Sequence, residues 1–185
     1  MVTLASLWLP ILVAAVLVFL ASFILHMVLP FHRTDLRPVA SEDGVMDALR
    51  PFNIAPGNYA LPCPRPPQTH QSPEFVAKRK KGPVMLMTVM PPGDVQMGGR
   101  LAAWFVFCVV VGIFAAYLTS RALPAGTPYL EVFRFSGTVA FIGYCLAQWE
   151  TTIWYDRAWT TTAKDTIDGL IYGLLTGGAF GWLWP

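Results

Sequence analysis

Residues 165–184 read DTIDGLIYGLLTGGAFGWLW, with Gly169, Gly173, Gly177 and Gly181 spaced one every four residues. On an α-helix this spacing aligns the four along one face, as a groove without side chains. In water each glycine would weaken the helix. In lipid the same strip lets a second helix approach to backbone distance, the small-xxx-small mode of packing. The stretch therefore predicts a membrane-embedded bundle assembled against its C-terminal helix, with these four glycines as the packing face.

Composition points the same way. The 185 residues are 55% hydrophobic and only 13% charged, against about 25% charged in ordinary soluble domains. The net charge of +2 is too small to suggest nucleic acid. Three cysteines, Cys63, Cys108 and Cys145, are too few and too scattered for a disulfide framework. Two of them fall inside apolar stretches, where a thiol behaves as a small apolar side chain.

Taken in order, Leu4–Leu29 is apolar except for Ser6, Ser22 and His26. At about 1.5 Å per residue it can cross a hydrocarbon core of about 30 Å. No Lys or Arg precedes it and it is too long for a signal peptide, so it reads as a first span ended by Pro30. Leu101–Ser120 reads as the second, with Cys108, Gly112, Ala116 and Ser120 as its small-residue row. Thr127 and Pro128 read as cap and first residue of a third helix running to about Trp154. Ser136, Ala140, Gly143 and Ala147 would form its seam. Thr162, with Asp165 three residues on, resembles a capping box opening the fourth helix. The trend across three spans predicts an all-α integral membrane protein, a four-transmembrane-helix bundle.

Residues 1–30 are then helix 1, residues 31–99 a proline-rich cytoplasmic cap, and residues 100–185 helices 2 to 4. In the cap, Ser41 and Ser72 can open short helices over Glu42–Arg50 and from Pro73. Asn58–Leu61 and Val84–Val89 read as strands, with Met85 and Met87 on one face. The run Cys63–Pro67 is expected to be irregular. Arg33, Arg37, Arg50, Arg65, Lys78, Arg79, Lys80, Lys81 and Arg100 fall between the first two spans, and Arg157 and Lys164 between the last two. Only Arg121 and Arg134 fall on the other side. The positive-inside rule then puts the cap in the cytoplasm and both termini outside, in a bacterial inner (plasma) membrane. Trp149, Trp154 and Trp159 at one end, with Trp182 and Trp184 at the other, read as an aromatic belt.

Ionisable residues inside spans are the places to look for function. His26, Glu150, Asp165 and Asp168 all fall near the cytoplasmic ends of their helices and form the candidate polar cluster, able in principle to hold a cation or pass a proton. Taken singly, each has a structural explanation. Asp165 and Asp168 suit the start of a helix, Glu150 can pair with Arg157 or Lys164, and His26 can bond to a neighbouring helix. No cofactor is expected. Cys63 and His70, with Met85 and Met87, are metal-binding types but match no ligand spacing. No nucleotide-binding, nucleophile-elbow or zinc-protease motif occurs.

The expected role is non-catalytic: an accessory or scaffold subunit in the lipid bilayer, as a homo-oligomer or within a larger membrane complex. The alternatives are a small transporter or proton-permeation unit using the carboxylate and histidine cluster, and a membrane metalloenzyme.

Overall fold

The computed structural model describes residues 2–65 and 69–185. The chain is mostly helical and divides into two compact units, Met1–Arg37 with Gln96–Pro185, and Pro38–Val95.

The first unit is a helical bundle. A 3-10 turn, Leu4–Leu7, leads into α1 (Trp8–Phe23), which ends in a π-turn, Ile24–Val28. Helix α4 covers Met97–Ala122, four residues earlier at its start than Leu101. Helix α5 (Tyr129–Phe141) continues through a second π-turn, Ile142–Leu146, into α6 (Ala147–Tyr155). Helix α7 is Trp159–Trp182. Among the described residues, three stretches are long and apolar enough to cross a membrane: Leu4–Val28, Met97–Ala122 and Tyr129–Tyr155. Helix α7 is long enough as well, but its glycines, threonines and N-terminal charges dilute its apolarity.

The bundle core draws on every long helix. Leu7, Ile11 and Ala14 meet Ala115 and Ala116 of α4, Val132 of α5, and Ala179 and Phe180 of α7. A second cluster joins Ala15, Val18, Cys108 and Tyr172. The glycine strip of α7 lies against α5. A Cβ on Gly173 would stand 2.9 Å from the Gly137 carbonyl oxygen, and one on Gly177 would stand 2.7 Å from that of Phe133. A Cβ on Gly181 would meet the Tyr129 ring at 2.8 Å. The two helices thus touch backbone to backbone, and α5 fills the groove within one chain.

The seam on α5 differs from its reading in sequence. Ser136 and Ala140 are buried, but Gly143 and Ala147 are exposed, and Cys145 is buried in their place. The π-turn is the cause. A turn closed over five residues rather than four inserts one extra residue and rotates the following face by about 100°. The buried series steps from Ala140 to Cys145, and Cys145 then packs on Gly169, whose Cβ would clash with it.

Two helix starts also differ. The capping box at Thr162 and Asp165 does not form, because α7 begins at Trp159 and Thr162 already lies in its first turn. The Thr162 hydroxyl instead bonds to that of Thr152 on α6. Pro128, not Thr127, is the N-cap of α5, and the Thr127 hydroxyl donates to the Pro124 carbonyl at 2.7 Å.

The second unit contains α2 (Glu42–Leu49), β1 (Gly57–Leu61), α3 (Pro73–Lys81) and β2 (Met85–Val89). The strands pair antiparallel, with Tyr59 opposite Met87. Ser72 caps α3 through the Phe75 N–H, whereas Ser41 makes no side-chain cap on α2. Phe75 is the buried residue of α3, with His70 edge-on at 5.3 Å. Of the run Cys63–Pro67, Cys63–Arg65 carry no regular structure, and Pro66 and Pro67 lie outside the described residues.

Candidate functional site

The polar groups of the bundle gather where α1 ends and α7 begins. After the π-turn, Leu29 takes an extended conformation and Pro30–His32 form a 3-10 turn. This carries residues 30–35 back toward α7. The chain therefore does not leave the bundle at Pro30, and His32 and Asp35 are delivered to the same place as His26.

Asp168 is the centre of the group. It is 3% exposed, and its Oδ2 accepts from His32 Nε2 at 2.9 Å. His26 Nδ1 lies 3.7 Å from the same oxygen, and the two imidazole centroids are 4.2 Å apart. The other nitrogen of His32, Nδ1, bonds to Asp35 Oδ2 at 2.6 Å. Lys164 Nζ then donates to Asp35 Oδ1 at 2.7 Å and to the Thr34 hydroxyl at 2.9 Å. The Lys164 ammonium also lies 5.4 Å from the Phe31 ring centroid, within cation–π range.

This is a relay of alternating groups: Lys164, Asp35, His32, Asp168. An ionised carboxylate only accepts hydrogen bonds. With carboxylate oxygens facing both of its nitrogens, His32 satisfies both when each carries a proton, when Asp168 is itself protonated and donates to Nε2, or when another cation stands in for the proton shared with Asp168. Burial would raise the Asp35 carboxyl. The hydrogen bonds and positive charge of Lys164 and His32 outweigh that and hold it below the ordinary carboxylate value. The second Asp168 oxygen, Oδ1, is buried and has no partner among the described residues.

Of the four residues predicted to cluster, the structure brings together His26 and Asp168. Asp165 is turned aside: its Oδ2 accepts from Arg157 at 2.6 Å, and Arg157 also reaches the Gln148 side chain at 3.3 Å. Glu150 is exposed and, among the described residues, joins no ion pair. Both positions follow from helix geometry. Residues three apart diverge by about 60° around an α-helix, enough to send Asp165 and Asp168 to different neighbours. Glu150 follows the second π-turn and shares its altered facing. His32, Asp35 and Lys164 are absent from the predicted cluster. The available signal was the His-x-x-Asp spacing of His32 and Asp35 immediately after Pro30, in a stretch that reads as the start of the cap.

Below Asp168 a polar stripe runs down α7. Tyr172 and Thr176 follow at successive four-residue steps, and the Tyr172 hydroxyl and Thr176 Oγ1 are buried with no partner among the described residues. The stripe stops there. One turn further stands Phe180, fully buried with Leu7 and Val132. The polar centre therefore has an apolar floor.

Cys63 and His70 belong to the Pro38–Val95 unit. Cys63 is exposed and His70 packs on Phe75. Among the described residues, the group of His, Cys, Asp and Glu side chains close enough to share one ion is His26, His32 and Asp168.

No protein-family model, curated protein or solved structure matches the chain.

Proposed function

We propose that the chain is an integral membrane protein of four spans, with α7 as the fourth, and that its role is non-catalytic: an accessory or scaffold subunit. The observation that carries this reading is the backbone contact between α5 and α7 at Gly137, Gly173 and Gly177. Such contact gains little in water, where glycine weakens helices, and is the usual means of helix association in lipid. The outer surface supports it. Trp8, Leu20, Phe23, Val106, Phe114 and Leu170 are each at least half exposed on the bundle, a surface suited to lipid tails. Trp154, Trp159 and Trp182 are also exposed near helix ends, where aromatic side chains meet headgroups.

The closed floor at Phe180 favours a bundle that holds rather than conducts. The basic residues favour the Pro38–Val95 unit lying in the cytoplasm of a bacterial cell, with both termini outside. Since α5 occupies the glycine groove, association with other subunits would use the outer faces.

Cys63 provides the test, because it is exposed while Cys108 and Cys145 are buried. The protein should stay with membranes through alkaline carbonate washing. A membrane-impermeant maleimide should label Cys63 in inverted vesicles and not in intact spheroplasts. Extraction by carbonate would remove the membrane assignment, and labelling in intact spheroplasts would reverse the orientation.

A further inference from the structure

We propose that His26, His32 and Asp168 form a binding site for a divalent transition-metal ion of the zinc class. Two imidazoles and one carboxylate are the donor set that zinc, nickel and copper prefer, whereas magnesium and calcium select oxygen alone. The ligating atoms of the three residues all lie within 4.8 Å of one another. A tetrahedral ion with bonds of about 2.0–2.1 Å holds its ligands about 3.3 Å apart. The contacts of His32 and His26 to Asp168, at 2.9 and 3.7 Å, bracket that spacing. The His26 side chain is half exposed, so its ring has room to turn toward the shared centre.

Two further features fit the assignment. His32 Nδ1 faces Asp35, so with that nitrogen protonated the Nε2 lone pair points at the common centre. A carboxylate on the far nitrogen is the usual support of a metal-bound histidine, fixing its tautomer and raising its basicity. Asp35 is itself held by Lys164, which neutralises it, so the ligand set keeps the single negative charge of Asp168. Independently, Asp168 Oδ1 is buried beside the site with no partner among the described residues. It can take a second coordination position or orient a water in the fourth one. The ion would replace the proton shared by His32 and Asp168 and tie the end of α1 and the 30–35 turn to α7.

The test uses the full-length protein in detergent, stripped with a chelator and titrated with Co²⁺ as a coloured substitute for zinc. The expected result is a visible ligand-field band saturating at one ion per chain, abolished by Zn²⁺ and untouched by Mg²⁺. His32→Ala and Asp168→Asn should remove the band, and Asp35→Asn should weaken binding by about 10- to 100-fold. Asp165→Asn and Glu150→Gln should leave it unchanged. If the variants at the two more buried positions fail to fold, His26→Gln decides, since His26 is half exposed and its replacement leaves the core intact. It should weaken binding at least about tenfold. No band in the wild-type protein, or a band unaltered by His26→Gln, would overturn the assignment.

Discussion

The carbonyl oxygen of Gly137 occupies the space in which a side chain on Gly173 would begin, 2.9 Å from that Cβ position. The relation is mutual: a Cβ on Gly137 would lie 3.0 Å from the Gly173 carbonyl oxygen. Neither helix can gain a methyl group here without moving its neighbour's backbone. Gly173→Ala should therefore destabilise the bundle by about 1–3 kcal/mol, the usual effect of overpacking. Gly178 is the control, because its Cβ would meet only the Tyr129 hydroxyl, at 3.8 Å. Thermal unfolding in detergent should show a lower midpoint for Gly173→Ala and no loss for Gly178→Ala. Equal midpoints would remove the backbone contact as a source of stability.

The π-turn between α5 and α6 makes a second, reciprocal prediction. A Cβ on Gly169 would lie 2.4 Å from Cys145 Cβ and 2.8 Å from its sulfur, but 3.6 Å from its Cα. The obstruction is thus the cysteine side chain and not the backbone. Gly169→Ala should destabilise, and adding Cys145→Gly should recover part of the loss. A double-mutant cycle should give a favourable coupling of about 0.5–3 kcal/mol. Simple additivity would mean that the two residues do not meet.

The tie between Lys164 and Asp35 should be lost in acid. The Asp35 carboxyl sits below its unfolded value, about 3.9. A depressed carboxyl stabilises the folded state fully above the unfolded value and loses that contribution as pH falls through the folded one. The stability difference between wild type and Asp35→Asn should be complete above about pH 4 and shrink at lower pH. Melting midpoints of the two proteins across this range measure it directly. A gap that stays constant into strong acid would show that the ionised pair contributes nothing.

A polar contact joins helices α1 and α4, in which Trp104 Nε1 donates to Ser22 Oγ at 2.8 Å. Ser22 in turn donates to the Phe19 carbonyl at 2.8 Å. Interhelical hydrogen bonds in lipid average about 0.6 kcal/mol, with a maximum near 1.7. Ser22→Ala should lower stability within that range and alter the Trp104 fluorescence environment. A larger loss would imply that the hydroxyl also holds the π-turn that follows it.

The sequence alone determined that most of the chain is helical and that small residues recur at four-residue spacing; of the four stretches it predicted as spans, three are long and apolar enough to cross a membrane among the described residues. These are local properties, set by composition and by a period of 3.6 residues, and they can be read along one strand of text. Which face meets which neighbour was decided in three dimensions. Cys145 took the place expected for Gly143 and Ala147 because a single extra residue in a turn rotates everything after it. His32 and Asp35 joined His26 and Asp168 because the chain doubles back after Pro30, and Glu150 and Asp165 fell away because small angular offsets send side chains to different neighbours. Contacts such as that of His32 with Asp168, separated by 136 positions, leave no periodic trace in sequence; only the packing of the helices creates them.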